Sequence, residues 1–402
     1  MNEVKLGDVA DVRISGVDKK TLPNEIPVRL CNYTDVYYNW TIRTENRQKF
    51  MLASAKEDEI SKFRLHAGQV ALTKDSETKF DIGHSTFISE DFDDVILGYH
   101  CALISPHPGM LDGQYLNAMF RTRHISDYLA RNAGGSGQRY YLSEAAIKSI
   151  PLKLPPITTQ LRIAAILGSI DEKIELNRKK IAELEALAKT IYDYWFVQFD
   201  FPDKNGKPYK SSGSKMVWNE QLKREIPEGW EVVTFASLIA KVANTRRLTT
   251  NEYELAGTFP IVDQSEEFIA GYTTDSSAVL DLYKCVVFGD HSCTVKLVNF
   301  PFCRGADGTQ IILSNDESSV STYQLYQFMK HLKFDGQYKR HFSFLKQHLV
   351  PIKLDLALGD KFNNVVEQIF NSIRNCRKDI MSLIQVRDTL LPLLMNGQVE
   401  VK

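Results

Sequence analysis

The sequence lacks the features that would assign it directly to a membrane, exported or strongly basic class of protein. Its apolar runs are far shorter than the ~18 residues of a membrane helix, and the amino terminus MNEVKLGDVADV has no apolar signal-peptide core. The 6 cysteines form no C-x-x-C pair, which predicts a reduced, cytoplasmic protein with no membrane partner. Because the net charge is −1, a nucleic acid would have to bind at local clusters of basic residues.

The motifs of several enzyme classes are also missing. There is no GxxxxGK[ST] phosphate loop and no GxGxxG after a predicted strand, and the Pro-Pro pair in LPPI lacks the flanking residues of an amino-methyltransferase motif. His291, Cys293 and Cys303 do not have zinc-site spacing, and buried structural cysteines are the alternative there. Asp75 and Lys79 lack an upstream acidic partner for a nuclease, so they are interpreted as solvated loop charges. We therefore predict a non-catalytic chain that holds no cofactor and no metal.

What the sequence does contain is an internal repeat. The segments IKSIPLKL at 147–154 and QHLVPIKL at 347–354 align, with their prolines 200 positions apart. Each precedes a long segment in which apolar residues recur at alternating spacings of four and three, which predicts a coiled-coil seam. Two unrelated amphipathic helices would not share length, phase and upstream strand. The predicted seam consists of Ile163, Leu167, Ile170, Ile174, Asn177, Ile181, Leu184, Ala188, Ile191 and Trp195, and of Phe362, Val366, Ile369, Ile373, Cys376, Ile380, Leu383, Arg387, Leu390 and Leu394.

The seam carries two polar marks. Asn177 and Arg387 occupy seam positions, where a polar group costs stability but can specify register and partner. A helix from about 160 to 197 would be roughly 55 Å long at ~1.5 Å per residue. Pro392 near the end of the second helix predicts a bend or a stop.

Each predicted helix follows a strand-rich segment. Stretches such as VRLCNY, QVALTK and CALISP in the first half, and KCVVFGD and TQIILSN in the second, predict strands. The chain of 402 residues is too long for one typical core, so the predicted fold class is α+β, with two strand-rich α/β domains that each precede a long α-helix. The predicted domains are 1–155 and 230–356, the predicted helices are 156–200 and 357–402, and 201–229 is a polar linker.

A basic, aromatic and glycine-containing stretch precedes the repeated strand in both halves, as ARNAGGSGQRYYLS and HLKFDGQYKRHFSF. Arg and Gln can read base edges, Lys and Arg neutralise phosphate, and glycine lets the backbone approach closely. The loops after QVALTK and KCVVFGD form a weaker pair of candidates. The candidate DNA-binding residues are Lys74, Arg131, Gln138, Arg139, Tyr140, Tyr141, His291, Lys296, Gln337, Tyr338, Lys339, Arg340 and His341. The alternative is that these segments are solvated charged loops.

Three blocks of the chain carry a family resemblance. These are LKLPPITTQLRIAAILGSIDEKIELNRKKIAELEALAKTIYDYWFVQFDF at 152–201, IPEGW at 226–230, and the carboxyl-terminal IRNCRKDIMSLIQVRDTLLPLLMNGQVEV. Together with the repeat, they resemble the DNA-specificity subunit of type I restriction–modification systems. The second helix departs from the first at its start, where KLDLALGDKF replaces the PPxxxQ pattern.

This resemblance implies a fold, a function and a set of partners. Each strand-rich domain would be a target-recognition domain that reads one half of a split, non-palindromic target in double-stranded DNA, and the two helices would pair as an antiparallel coiled coil that sets the spacer. The partners would be two methyltransferase subunits and the restriction subunits. S-adenosylmethionine, ATP and Mg would act in those partners and not in this chain.

Two other classes of function compete with this interpretation. A stand-alone nuclease or fused modification enzyme would need a metal-binding carboxylate cluster, for which the sequence shows no pattern. A structural coiled-coil adaptor would share the repeat but would not bind DNA. The paired basic stretches and the resemblance favour the DNA-binding interpretation over the adaptor.

Overall fold

The computed structural model describes residues 2–135, 137–242, 245–254, 256–305, 308–333, 341–353 and 356–399. The chain forms two compact units, one of Met1–Leu176 with Asp379–Lys402 and the other of Asn177–Lys378. Two long helices, Ile157–Tyr192 and Leu356–Met395, each contribute one part to each unit. A strand-rich α/β segment precedes each of these helices, as the sequence predicted.

The first unit is built on two sheets. The five-stranded sheet has the order Ala10–Ile14, Cys101–Pro106, Val70–Thr73, Ser85–Ile88, Thr41–Ile42, and the three-stranded sheet has the order Met51–Ala55, Ile26–Cys31, Val95–Leu97. All four residues of Val70–Thr73 are buried, because the run VALT has side chains on both sheet faces that pack against other elements. The helices of this unit are Leu6–Val9, Tyr33–Tyr38, Glu57–Phe63, Gly113–Phe120, Arg123–Asn132 and Glu144–Lys148, with a 3-10 turn at Thr44–Lys49.

The larger sheets of the second unit have four and three strands. One has the order Gly271–Thr273, Phe259–Val262, Phe302–Arg304, Val279–Leu280, and the other has the order Val295–Val298, Cys285–Gly289, Thr309–Ile312. Its remaining helices are Thr322–His331 and His341–Gln347, with 3-10 turns at Phe235–Leu238, Thr250–Glu252 and Ser276–Ala278.

The repeated segment is a strand with the same role in both units. In the first unit Pro151–Leu154 pairs antiparallel with Asn2–Lys5, and in the second Leu349–Ile352 pairs antiparallel with Glu231–Thr234. In each unit the repeated strand therefore pairs with a strand that lies far before it in the chain, and it leads directly into a long helix.

The helices run antiparallel within each unit. In the first unit, Ile163 and Leu167 from the start of the first helix share a core cluster with Leu391 and Leu394 from the end of the second. The same cluster includes sheet and helix residues of the globular part, so the seam packs on that part as well as on the partner helix. Every predicted seam residue is buried or half-buried, and Pro392 is accommodated because the helix ends soon after it, at Met395.

An aromatic cluster marks the end of the first helix in the second unit. The helix changes to a π-helical turn over Asp193–Val197, which places Trp195 and Phe196 against Phe362 with ring centroids 5.7 and 5.0 Å apart. Phe362 is fully buried. Large aromatic side chains in this arrangement contribute strongly to core stability, so the start of the second helix is held against the end of the first.

The segment predicted as a linker is ordered around aromatic stacking. Phe201 stacks on Tyr209 and Trp230, with ring centroids 4.7 and 5.4 Å apart, and Met216–Asn219 pairs with Arg224–Pro227 in a hairpin. Its polar composition predicted a loose loop because composition does not show which few aromatic side chains meet. Among the described residues, no helix is both long and apolar enough to cross a membrane.

Candidate nucleic-acid interface

In the first unit, backbone pairing joins two loops that are distant in sequence. Asp75–Ser76, just after the strand Val70–Thr73, pairs antiparallel with Tyr140–Tyr141, which pairs on its other side with Gly134–Gly135. Gly135 has a φ of 143°, and a Cβ at this position would lie 2.2 Å from the carbonyl oxygen of Arg139, so only glycine fits. From the sequence we predicted these two loops as separate candidates, and the structure places them side by side.

The joined loops border a cavity of about 640 Å³. It is lined by Tyr33, Tyr37, Tyr38, Thr73, Asp75, Ser76, Glu77, Thr78, Asp81, His100, Gln138 and Arg139. Gln138 and Arg139 are exposed, so both can reach a ligand outside the cavity. Arg131, also exposed, ends the helix Arg123–Asn132 and is not part of this lining.

A half-buried carboxylate, that of Asp75, lines the cavity and contacts two neighbouring side chains. Asp75 Oδ2 accepts a hydrogen bond from Lys74 Nζ at 2.9 Å and lies 2.7 Å from His100 Nδ1. Arg139 Nη2 lies 3.2 Å from the same ring nitrogen. The Lys74 side chain is only 17% exposed, and its ammonium is paired with the Asp75 carboxylate. This geometry favours a role in holding Asp75 in place over a direct contact with a phosphate.

Another part of the cavity lining is aromatic and was not predicted from the sequence. Tyr37 donates a hydrogen bond from its hydroxyl to Asp81 Oδ1 at 2.9 Å, and its ring lies 4.0 Å from that of His84. Burial, followed by the hydrogen bond to Asp81, raises the pKa of Tyr37 to about 12, so the hydroxyl remains a donor at neutral pH. Tyr33 and Tyr38 are exposed. The run CNYTDVYYN was a compositional signal for this wall, but its direction depended on the fold.

The predicted tyrosines differ in exposure. Tyr140 packs against the core of the first unit, whereas Tyr141 is 51% exposed. Of these two tyrosines, Tyr141 is therefore the one available to stack on or hydrogen-bond with a ligand without rearrangement.

The second unit joins the corresponding loops. Asp290 follows the strand Cys285–Gly289, and its carbonyl oxygen accepts from the His341 N–H at 3.3 Å while its Oδ1 accepts from the Phe342 N–H at 2.7 Å. His341 is buried and His291 is exposed. The predicted residues Gln337, Tyr338, Lys339 and Arg340 lie outside the described residues.

Lys296 lies in the interior of the second unit. It is 6% exposed, and its ammonium donates to the carbonyl oxygens of Asp263, at 3.0 Å, and Glu267. This placement does not favour the predicted contact with DNA. The sequence could not show it, because the strand Val295–Val298 is short and its inward face depends on the sheet it joins.

Burial lowers the pKa of Lys296 to about 8, against the opposing effect of Asp263 and Glu267. The folded chain therefore releases this proton at lower pH than the unfolded chain, whose lysines titrate near ~10.4. Between these values the unfolded state binds more protons, so the contribution of Lys296 to the free energy of unfolding rises with pH. We expect the free energy of unfolding of the natural chain, minus that of Lys296→Met, to increase from pH 8 to about pH 10. Chemical denaturation at several pH values would measure this difference. The exposed Lys330→Met is the control, and a pH-independent Lys296 difference would contradict the assignment.

The helix that follows the first candidate loop is capped by Ser143, whose Oγ accepts from the Ala146 N–H at 3.1 Å. We expect Ser143→Ala to lower the free energy of unfolding by about 1 kcal/mol, because the cap satisfies an otherwise unpaired helix N–H. Denaturant titration would measure the loss. Ser169→Ala, at an exposed position inside the first long helix, is the control and should cost little; equal losses in both variants would contradict a capping role.

Among the residues that the structure describes, no group of three or more His, Cys, Asp or Glu side chains is placed to hold a metal ion. The arrangement in the first unit instead combines exposed Arg and Gln with aromatic rings and fixed acceptors. Such side chains can hydrogen-bond to base edges and phosphates and can stack on bases.

Several known proteins are similar to this chain. The family model for the type I restriction modification DNA specificity domain matches residues 1–186. The MjaIX specificity subunit of a type I restriction enzyme from Methanocaldococcus jannaschii is 26% identical over 74% of this chain and 72% of its own length. A putative MjaX specificity subunit from the same organism is 22% identical over 86% of this chain and 82% of its own length.

Fold comparison agrees with the sequence comparisons. The crystal structure of a type I restriction–modification S subunit from M. genitalium has a TM-score of 0.53 at 15% identity, covering 98% of this chain and 95% of that chain. Together these similarities confirm the resemblance to type I specificity subunits that the sequence indicated.

Proposed function

Because residues 1–186 match the family model for the type I restriction modification DNA specificity domain, we propose that the chain reads a bipartite, non-palindromic sequence in double-stranded DNA. Each unit would contact one half of the target. The two units differ in sequence, so their half-sites would differ, whereas two identical units related by symmetry would require a palindrome.

The observation that carries this proposal is the joining of the same two loops in both units. In the first unit the junction is Asp75–Ser76 with Tyr140–Tyr141, and in the second it is Asp290 with His341 and Phe342. Loops that were merely solvated would not need to pair with the equivalent second loop in each repeat. Pairing is expected of a recognition surface, because base reading needs side chains from several segments held in one geometry.

The exposed groups around the first junction fit direct readout. Gln138 and Arg139 carry the amide and guanidinium groups that form bidentate pairs with adenine and guanine in the major groove. Arg131 stands apart from the cavity, in a position suited to phosphate. Affinity would then come mainly from phosphate contacts, and the choice of sequence from the cavity rim.

The long helices would separate the two half-sites and bind the partner subunits. Exposed Leu161, Leu176 and Leu187 lie on the first helix, and exposed Val365 and Val386 lie on the second. These apolar side chains outside the seam offer contacts to two methyltransferase subunits and to restriction subunits. In this proposal S-adenosylmethionine, ATP and Mg act in those subunits, and this chain supplies only the choice of DNA sequence.

The test is methylome mapping of cells that express this chain with the methyltransferase subunit encoded beside it, compared with cells from which this chain is deleted. We expect a split adenine-methylation motif that disappears on deletion. The same motif in both strains would contradict the proposal. A partner complex that assembles but has no DNA affinity in a direct binding assay would instead establish the adaptor function.

A further inference from the structure

The first unit contains a second cavity, of about 830 Å³, beside the last turns of the second long helix. Its charged and titratable lining consists of Arg121, Arg123, His124, Lys153, Arg387 and Asp388. Permanent positive charges therefore outnumber the single carboxylate. This excess is local, because the chain as a whole has a net charge of −1.

Two of the arginines lie beside the ring of one tryptophan. The guanidinium carbons of Arg387 and Arg121 lie 4.4 and 5.3 Å from the Trp40 ring centroid. Trp40 is 9% exposed, and within the described part of the chain neither its indole N–H nor Arg121 Nε has a hydrogen-bond acceptor. Buried donors without acceptors are rare and often mark the place of an absent water or ion.

The positive charges are only partly neutralised. Arg387 donates to Asp388 at 3.0 and 3.1 Å, but Arg123 is 94% exposed with Asp127 3.8 Å away. Burial, and next the neighbouring charge of Arg387, lower the pKa of Arg121 to about 10. The two guanidinium groups lie beside the same ring and repel each other, and an anion near both would relieve that repulsion.

The rest of the lining is apolar. Met119, Ile125, Leu391 and Met395 contribute to it, and the volume is within the usual range of ~300–1,000 Å³ for small-molecule sites. A bare phosphate ion would leave most of this space empty. The chemistry fits an anion that is attached to an organic body, and a phosphoryl group is an anion that arginine side chains bind well.

We propose that this cavity binds an organic phosphate of nucleotide size, with its phosphoryl group near Arg121 and Arg387, which both line the cavity, and with the exposed Arg123 and Lys153 as further cationic contacts. The site also accounts for Arg387 at a seam position, because its side chain turns to Trp40 and the cavity. A bound phosphate would connect the second helix to the globular part of the first unit through two arginines, one from each.

The probes are AMP, ADP and uncharged adenosine, titrated calorimetrically into the purified full-length chain. We expect AMP and ADP to bind and adenosine not to bind. The double variant Arg123→Gln/Lys153→Gln removes two exposed cations at the entrance without disturbing the core, and it should weaken nucleotide binding at least about tenfold. The matched control Lys19→Gln/Lys49→Gln removes two cations of the same unit that do not line the cavity, and it should bind as the natural chain does.

Several outcomes would overturn the proposal. These are no binding of either nucleotide, equal binding of adenosine, or equal loss in the two double variants. Binding of a short acidic peptide in place of the nucleotides would assign the cavity to a partner protein. Displacement of ADP by a short nonspecific DNA duplex, with the Arg123→Gln/Lys153→Gln variant losing affinity for both ligands, would assign the cavity to backbone phosphate of DNA.

Discussion

In the proposed complex with methyltransferase subunits, replacement of Arg139 by alanine is expected to lower the affinity for the DNA target by about tenfold to a hundredfold, the usual range for a lost base contact. Arg139 is exposed at the rim of the first cavity and is held near His100, 3.2 Å from its Nδ1. Loss of its guanidinium removes a bidentate donor whose position is set by that contact. Equilibrium DNA binding at several salt concentrations would measure the effect.

Arg131→Ala is the matched control, because it removes the same side chain from the same segment at a position outside the cavity. It should weaken specific and nonspecific binding alike and reduce the salt dependence, as expected for a phosphate contact. Arg139→Ala should mainly weaken the specific complex and relax the choice of base in one half-site. Unchanged affinity and unchanged motif for Arg139→Ala would show that the first cavity does not read DNA. Arg340→Ala is expected to act on the other half-site.

Lengthening both long helices by four residues is expected to shift the preferred spacer between half-sites by roughly two base pairs. Four residues add ~6 Å to a helix and slightly more than one turn, which keeps the seam facing its partner, and a base pair rises ~3.4 Å. The insertions would follow Leu176 in the first helix and Lys378 in the second, where the two units divide. Binding to the natural spacer should fall sharply, because both half-sites could no longer be occupied together.

Target selection from a library of spacer lengths would measure this shift. Insertion of the same four residues after Gly206, in an exposed turn outside both helices, is the control and should leave the spacer unchanged. Insertion into the first helix alone should destabilise the pairing of seam residues such as Ile163 with the second helix. Selection of the original spacer by the doubly lengthened chain would contradict a spacing role of the helices.

Only some residues of the candidate interface could be predicted from the sequence. Gln138 and Arg139 could be proposed because Gly, Arg and Gln together are typical of a loop that approaches DNA. Tyr37 could not, because its contribution depends on Asp81 and His84, and the sheet decides that these side chains meet. Lys296 was predicted to contact DNA because lysine is usually found at the surface. The sheet that its short strand joins places it in the interior instead.

The sequence by itself determined the repeat, the two long helices and the strand before each of them. These follow from local periodicity, which depends on the geometry of a helix or strand and not on the rest of the molecule. Only the tertiary structure decided that Asp75–Ser76 pairs with Tyr140–Tyr141, and that Arg387 and Arg121 both lie beside the Trp40 ring. Such contacts join segments that are distant along the chain, and their energy comes from packing and hydrogen bonding that no local pattern encodes.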